Sequence, residues 1–309
     1  MDLLEQLFLN GVLMAIIGHG LIGISLVWDK VLLQRRATQN LVSYVFWLGA
    51  ISIFGCILIF FGFRMPDPRV AGMAFTAGLL DLVGSFFYYA ALKAGEASDE
   101  LAVMGGFTPV ATALIAIALL KQPLGGAPTG FILMTLGGFV MFSVEKRPLK
   151  KMLPRILGAS VAFGMMNVVQ KLVYDRTNFV SAYVFFTLGT FAGSMALLIP
   201  PSWRRQIFER SEEAPPKSKF WYMVNRFMAG VGSFLTVYAV SRTTPVLVSA
   251  ISGVRYVIIF LGAYAITKWK PSWFREDFQT RTLIAKLAAT CLVVTGLVLA
   301  ALQGRNVAE

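Results

Sequence analysis

Three ionisable side chains lie inside segments of the chain that are otherwise apolar or small. Arg255 is in the middle of VSAISGVRYVIIFLGAY, Asp81 is in GLLDLVGSFFYY, and His19, the single histidine, is in GHGLIG. A charged group that faces hydrocarbon costs from about 2.5 to more than 10 kcal/mol, so such a group normally faces protein or a water-filled path. These three residues are therefore candidates for solute binding or ion coupling.

Arg255 is the candidate for binding an anion, because a guanidinium donates two parallel hydrogen bonds to a carboxylate or phosphate. It lies about ten residues beyond Pro245, too deep to reach either surface easily. On a helix, steps of three and four place Ser249, Ser252, Tyr256 and Ile259 near Arg255, so a polar stripe of two serines and a tyrosine accompanies it. We predict that Arg255, Tyr256 and Ser252 contact the substrate; the alternative is a structural ion pair.

Asp81 and His19 each allow a functional and a structural interpretation. The helical neighbours of Asp81 are small or polar: Gly84, Ser85 and Tyr88. Asp81 is predicted to be a proton or cation site, or the countercharge of Arg255 in the empty protein; the alternative is a permanent buried salt bridge. For His19 the alternatives are a proton relay and a hydrogen-bonded structural residue. Tyr88 joins the residues predicted to bind substrate.

Two further polar residues, Asn167 and Arg226, are also predicted to face the substrate. Asn167 is the most deeply placed member of a stripe that continues with Gln170, Lys171 and Tyr174. Lys171 is close enough to the end of its segment for the ammonium to reach the interface. Arg226, in WYMVNRFMAGVGSF, is either an interfacial anchor or a second anion contact.

The sequence contains no set of residues that predicts catalysis. There is one histidine, no Ser-His-Asp arrangement, no metal-ligand cluster and no phosphate loop. GHGLIG matches the G-x-G-x-x-G pattern, but no strand precedes it, and glycines in a membrane helix favour close packing instead. We therefore expect a protein that is not an enzyme and has no cofactor or metal.

The elements that carry these residues are predicted to be transmembrane helices. Of the 309 residues, 57% are hydrophobic and 14% are charged, and the mean hydropathy is +0.69. Soluble domains hold about 25% charged residues, and no strand-like alternation appears, so we expect an all-α integral membrane protein. The 200–219 connection is predicted to contain no helix. Apolar runs long enough to cross a bilayer predict ten spans, at 7–33, 40–63, 70–93, 99–120, 127–144, 153–174, 178–199, 220–241, 245–267 and 282–302.

The basic residues alternate between loops, which predicts orientation rather than nucleic-acid binding. The net charge is +12, and the loops after the first, third, fifth, seventh and ninth spans carry most of the lysines and arginines. Basic loops are cytoplasmic, so both termini are predicted to lie outside. The N-terminus has no basic start or small-residue cleavage site, which favours a retained first span and a prokaryotic cytoplasmic membrane.

The second half of the sequence repeats the first. VSYVFWLG recurs as VSAYVFFTLG, VGSFFYYAAL recurs as VGSFLTVYAV, and Lys30 and Lys171 each close a span. The repeats are predicted to be five-helix units over 1–147 and 148–309. Because five is odd, the second unit crosses the membrane in the opposite sense, which makes an inverted-topology repeat. The small residues four apart in GTFAG suit close helix contact, as do the glycines of GHGLIG.

The fourth and fifth predicted spans carry a family resemblance. They form GGFTPVATALIAIALLKQPLGGAPTGFILMTLGGFVMF: small residues, a proline followed by apolar residues, a basic break and a Gly-rich segment. This resembles an EamA-type unit, and ten spans in two repeats are similar to the drug/metabolite transporter superfamily. The resemblance implies that the first, third, fourth, sixth, eighth and ninth spans line a central cavity.

The chain also departs from the family pattern. The usual acidic residue after the fourth span is replaced by Lys121, and the second unit has Arg255 where the first has Thr108. Many members of the family are described with both termini in the cytoplasm, whereas the charge bias here predicts the reverse.

These features predict a secondary transporter that moves a small polar, anionic metabolite, bearing carboxylate or phosphate, by alternating access. A lipid-phosphate or amphipathic-metabolite translocase is the first alternative, and it requires a side opening toward Arg255. A non-transporting scaffold or receptor with a fixed Arg255–Asp81 pair is the second. The expected partners are a small-molecule substrate and the bilayer, not nucleic acid; proton coupling, exchange coupling and a homodimer are left open.

Overall fold

The computed structural model describes residues 11–34, 40–94, 97–120, 149–213, 216–243, 251–276 and 280–305, together with 130, 133, 136–137, 140 and 248. Every regular element within these residues is helical, as expected for an all-α protein. Most of the predicted fifth span (127–144), the start of the first span, Ser249 and the predicted boundary between the repeats lie outside the described residues.

The described helices follow the predicted spans in order, with one addition. They are α1 (Gly11–Gln34), α2 (Leu41–Ile51) continued by a 3-10 helix (Ser52–Phe60), α3 (Pro68–Ala94), α4 (Ala97–Leu120), α5 (Leu149–Tyr174), α6 (Phe179–Ala196), α7 (Pro201–Glu213), α8 (Pro216–Arg242), α9 (Gly253–Trp269) and α10 (Thr280–Arg305).

Six helices in the described part of the chain are long and apolar enough to cross a membrane. Two further helical segments, Val103–Leu119 and Leu283–Gly296, are apolar but shorter. The chain is therefore a multi-pass membrane protein, while the count of ten spans stays a prediction. The six segments are Gly11–Leu33, Leu41–Phe60, Pro68–Ala94, Leu153–Tyr174, Phe179–Ala196 and Lys219–Arg242.

Two of these spans begin on matching asparagine caps. The side-chain oxygen of Asn40 accepts a hydrogen bond from Ser43 N at 2.9 Å, and that of Asn178 accepts one from Ser181 N at 2.8 Å. Such a cap satisfies one of the backbone N–H groups that a helix start leaves free. The repeated Val-Ser pair therefore lies in the first turn of a helix that is capped by asparagine in both halves.

Glycines set the closest helix contacts. A Cβ added at Gly18 or at Gly232 would lie 2.8 Å from the carbonyl oxygen of the other residue, which fixes the crossing of α1 and α8. At the crossing of α3 and α6, a Cβ at Gly78 would collide with the Phe186 carbonyl, and one at Gly189 with the Phe75 carbonyl. The packing role predicted for GHGLIG and GTFAG is confirmed.

Helix α7 corrects the prediction that 200–219 contains no helix. Pro201 is its first residue, a position where the missing N–H costs nothing. Ile207 is fully buried against Val42 and Phe46 of α2, and Trp203 stacks on Phe86 of α3. The segment is amphipathic, so its prolines and charges conceal a helix that covers the ends of α2 and α3.

The position of Arg255 within its helix also differs from the expectation. Regular helix α9 begins at Gly253, so Arg255 lies on its first turn rather than deep inside a continuous helix. Ser252 forms a turn, and the Arg255 N–H donates to the Ser252 carbonyl at 2.9 Å. Serine followed by glycine favours such a turn over regular helix. The helix start thus falls within the apolar segment.

Candidate functional site

A cavity of about 820 Å³ lies between the helices of the two halves. The spans named by the resemblance all contribute to its wall, since α1, α3, α4, α5, α8 and α9 line it, and α2 and α6 add to it. On α8 the lining residues run from Met223 to Val240, about 25 Å at 1.5 Å per residue. The cavity therefore extends through most of the length of the bundle.

The eight residues predicted to bind substrate or couple ions all line this cavity. Sequence spacing had placed several of them on polar faces of their segments, whereas His19 and Arg226 were selected as ionisable residues within apolar segments, and the fold directs all eight to one space. Their individual roles are not tested by this placement. They are His19, Asp81, Tyr88, Asn167, Arg226, Ser252, Arg255 and Tyr256.

Arg255 is held by His19 rather than by a carboxylate. Its Nη2 lies 2.7 Å from Nδ1 of His19, and Nε2 of His19 lies 2.9 Å from the Val248 carbonyl oxygen. The carbonyl can only accept, so Nε2 carries the proton and Nδ1 accepts from the guanidinium. His19 is then neutral, and it orients Arg255 without neutralising its charge.

Asp81 lines the cavity but does not pair with Arg255. Among the described residues its electrostatic neighbour is Tyr183 of α6, and no ion pair joins it to an arginine or lysine. The predicted pairing with Arg255 in the empty protein is absent from this conformation. A cation or proton role for Asp81 stays a prediction.

Arg226 is buried at one end of the cavity, in an ion pair with Asp29 of α1. The two side chains are 3% and 0% exposed. Nη1 of Arg226 also donates to the Tyr89 hydroxyl at 2.9 Å. The guanidinium lies 5.4 to 5.7 Å from the centroids of three tyrosine rings, at Tyr44, Tyr89 and Tyr222. An interfacial anchor is therefore excluded for Arg226.

Asp29 accepts hydrogen bonds from three further side chains besides Arg226. Tyr44 and Asn225 donate to its Oδ1, and Tyr89 donates to Oδ2 at 2.9 Å. This cluster joins α1, α2, α3 and α8 and closes that end of the cavity. Sequence reasoning did not select Asp29, because it stands beside Lys30 at the end of a span, where charges are ordinary.

Two other wall residues leave polar atoms unused. The buried Tyr88 hydroxyl and both amide atoms of Gln170 have no hydrogen-bond partner in the described part of the protein. Gln170 is 2% exposed and lines the cavity. Sequence analysis placed it in the Asn167 stripe but chose Asn167 as the site residue. The sequence feature that could have selected Gln170 is its spacing of three residues from Asn167, which places both amides on one helix face.

One side of the cavity wall is open between two spans. Helices α2 and α8 meet at Tyr44 and Tyr222, whose rings lie 4.9 Å apart. Further along, apolar residues of the 3-10 helix and of α8 line the cavity and are also exposed, at 71% for Phe54, 63% for Ile57 and 75% for Phe227. Because these residues both line the cavity and are exposed, the cavity wall opens toward the outside of the bundle in a gap between the 3-10 helix and α8.

Comparison with known proteins finds one family match, in the first half of the chain. Residues 9–144, which cover the first predicted repeat, match the model described as the EamA-like transporter family. The predicted resemblance to the drug/metabolite transporter superfamily is confirmed over these residues, and the match indicates a membrane transporter of small molecules.

A solved structure shares the fold of this EamA-like chain over both halves. It is described only as "Crystal structure of protein", with 18% sequence identity and a TM-score of 0.55, and the match covers 92% of this chain and 97% of that one. Such an identity shows the fold alone. No curated protein gives a significant match to the chain.

Proposed function

We propose that this EamA-like protein is a secondary transporter that moves a small anionic metabolite, bearing a carboxylate or phosphate, by alternating access. The observation that carries the proposal is Arg255, a cation on the wall of the central cavity held by a neutral imidazole. Among the residues that the structure describes, no carboxylate forms an ion pair with Arg255. A cation in this position has lost hydration without gaining a countercharge. An anionic substrate would supply that countercharge.

Equivalent contacts in the two halves support ten spans arranged as two inverted repeats. An offset of 141 positions aligns Ile22 with Phe163, and one of 148 aligns Gly84 with Gly232. A Cβ at Gly84 would lie 2.8 Å from the Phe163 ring, and one at Gly232 would lie 2.9 Å from the Ile22 side chain. The α3–α5 contact is thus repeated as α8–α1, which favours units at 1–147 and 148–309.

The Arg255–His19 pair has its own counterpart in the other half. Offsets of 147 and 141 align Arg255 with Thr108 and His19 with Ser160. The Thr108 hydroxyl donates to the Ser160 hydroxyl at 3.1 Å. The hydrogen bond between α9 and α1 in one half therefore corresponds to one between α4 and α5 in the other. This hydrogen bond occurs in both halves and is therefore a feature of the fold, whereas a charged side chain occupies the Arg255 position alone. This supports a role for Arg255 in substrate selection.

Alternating access further requires that each end of the cavity can close. The Asp29–Arg226 cluster closes one end in this conformation. Opening that end would separate α8 from α1, so Arg226 would become available to a passing anion. Arg226 is therefore proposed as a gate residue that serves as the second anion contact in the alternate state.

The gap between α2 and α8 favours a second candidate function, a translocase for lipid phosphates or other amphipathic anions. Such a substrate needs a side opening through which its tail stays in the bilayer. The gap is lined by Phe54, Ile57 and Phe227, whose exposed side chains would contact acyl chains. A non-transporting scaffold is disfavoured, since the cavity has no structural use.

The remaining expectations are proposed on sequence grounds. Both termini lie outside by the charge bias, and the membrane is a prokaryotic cytoplasmic membrane. Proton or exchange coupling would involve Asp81 or His19.

Reconstitution tests the proposal. Proteoliposomes are supplied with labelled carboxylates, phosphate esters and lipid phosphates, and uptake is compared between wild type and Arg255→Ala. A charge-assisted hydrogen bond contributes about 1.5–3 kcal/mol, so uptake should fall about ten- to hundredfold. Arg242→Ala is the control, because Arg242 is exposed and stacks on Tyr238 away from the cavity. Equal uptake by wild type and Arg255→Ala would contradict the site.

A further inference from the structure

Gln170 of α5 is a buried amide whose hydrogen-bonding groups have no protein partner. The side chain is 2% exposed, and both Nε2 and Oε1 are without a hydrogen bond among the residues that the structure describes. Leaving a buried polar group unsatisfied costs about 1–3 kcal/mol, and the large majority of such groups are paired. The amide faces the central cavity, so its partner has to come from there.

The absence of a partner follows from the sequence around Gln170. The offset of 141 that aligns Lys30 with Lys171 aligns Asp29 with Gln170. Asp29 is bound by Asn225, Arg226 and Tyr89, whereas the aligned positions around Gln170 are Ala77, Gly78 and Val237. Three of the residues that bind Asp29 therefore have apolar or small counterparts around Gln170, and the fourth, Tyr44, corresponds to Tyr183 in the repeated motif. Several apolar or small residues together therefore leave the Gln170 amide without the kind of partners that Asp29 has.

A second amide stands beside it on the same helix. Asn167 precedes Gln170 by three residues, a spacing that puts both on one face, and both line the cavity. Two neighbouring amides offer N–H donors and carbonyl acceptors without any charge. Arg255 lines the same cavity from α9 and offers charged donors alone. The wall thus has one cationic and one neutral hydrogen-bonding region.

We propose that Gln170, with Asn167, forms a neutral subsite that hydrogen-bonds a hydroxyl, amide or carbonyl group of the substrate while Arg255 binds its anionic group. This inference rests on the proposed transport function and narrows the substrate class. The substrate is an organic anion with at least one neutral hydrogen-bonding group, as in hydroxycarboxylates or polyol phosphates. Simple alkyl carboxylates and alkyl phosphates would leave the Gln170 amide unpaired and bind less well.

Two pairs of matched anions test the subsite. They are 2-hydroxypropanoate against propanoate, and glycerol 3-phosphate against propyl phosphate, measured by binding to the purified full-length protein and by uptake into proteoliposomes. A site built to bind a hydroxyl rejects the analogue that lacks it. At least one pair should show about tenfold or greater preference for the hydroxylated member in the wild type. Gln170→Leu should abolish that preference while retaining binding of the other member.

The control variants separate this inference from the proposed function. Gln206→Leu, on the surface helix α7 away from the cavity, should keep the preference. Arg255→Ala should weaken both members of a pair by similar factors. Absence of binding by all four anions, or unchanged binding in Arg255→Ala, would contradict the proposed function.

Other results would contradict the subsite alone. These are equal binding within both pairs in the wild type, or a preference that survives Gln170→Leu. If buried water satisfies Gln170 as a structural amide, the preference should survive Gln170→Leu. The empty protein supplies a further readout: removing two unsatisfied groups should make Gln170→Leu at least as resistant to thermal unfolding as wild type. A lower melting temperature would indicate a water-satisfied structural amide instead.

Discussion

At the scale of single residues, two arginines that look alike in the sequence have different states in the cavity. Arg226 is neutralised by Asp29 and enclosed by tyrosines. Arg255 donates to a neutral His19, which in turn is fixed by the Val248 carbonyl. A carboxylate partner would compete with an anionic substrate, whereas an imidazole acceptor does not. The charge of the acceptor, a carboxylate for Arg226 and a neutral imidazole for Arg255, therefore decides which arginine is available for binding.

His19 is predicted to be a positioning residue for Arg255. His19→Phe removes the acceptor at Nδ1, so the guanidinium loses its orientation, and the KM for anion uptake should rise about tenfold, the value of one charge-assisted hydrogen bond. His19→Asn keeps an acceptor near the Nδ1 position and should recover most of the affinity. Uptake kinetics in proteoliposomes measure both. The same KM in the phenylalanine and asparagine variants would show that the hydrogen bond to Arg255 has no such role.

At the scale of elements, the second half of the second span differs from the rest of the bundle. A 3-10 helix of nine residues, Ser52–Phe60, is long for this geometry, which is usually confined to three or four residues. It packs against α6, where the Ser52 hydroxyl donates to the Thr187 carbonyl at 3.0 Å. Its exposed residues Phe54 and Ile57 line the cavity beside Phe227 of α8. The gap on the side of the cavity is thus a consequence of how α2 continues beyond Ile51.

Filling the gap should affect substrates with long tails more than short ones. A Cβ added at Gly230 of α8, a cavity-lining residue, meets no atom within 4 Å, so Gly230→Trp has room to fold and would narrow the opening. Uptake of long-chain alkyl phosphates should fall about tenfold, and uptake of short carboxylates should change little. Gly72→Trp on α3 is the control, since Gly72 also has open space but lies outside the cavity wall. An equal effect on long and short substrates would argue against the gap as an access route.

At the scale of the whole molecule, the two halves share contacts but divide the chemistry between them. The α8–α1 contact repeats the α3–α5 contact, and a hydrogen bond joins aligned positions in both halves. Charged groups break this symmetry, because Arg255, Arg226 and Asp29 have uncharged counterparts at Thr108, Gly78 and Gln170. The aligned contacts are therefore similar in the two halves, whereas the Asp29–Arg226 ion pair occurs at one end of the cavity and has no charged counterpart.

The orientation of the whole chain is open to a labelling experiment. In a protein with Cys56 and Cys291 replaced by serine, Arg205→Cys on the exposed face of α7 should resist a membrane-impermeant maleimide in intact cells and react after permeabilisation. Asp175→Cys, in the exposed loop between α5 and α6, should react in both. The expectation follows from the basic residues of the 200–219 connection. Labelling of Arg205→Cys from outside would overturn the placement of both termini outside.

The sequence alone determined the features that depend on local composition and spacing. Apolar runs marked the membrane helices, repeated motifs predicted two similar halves, and ionisable residues in apolar segments together with helical spacing selected eight side chains that meet in one cavity. Local patterns could not assign partners, because the side chains that pair are far apart in the chain. Asp29 and Arg226 are 197 positions apart, and His19 and Arg255 are 236 apart.

Only the tertiary structure decided which charges are paired, that 201–213 folds as a covering helix, and that Gln170 has no hydrogen-bond partner within the described ranges. The physical reason is that electrostatic and hydrogen-bond energies at bilayer depth depend on distances of a few ångströms between helices. Residue type and helical period give the direction of a side chain but not the atom that it meets.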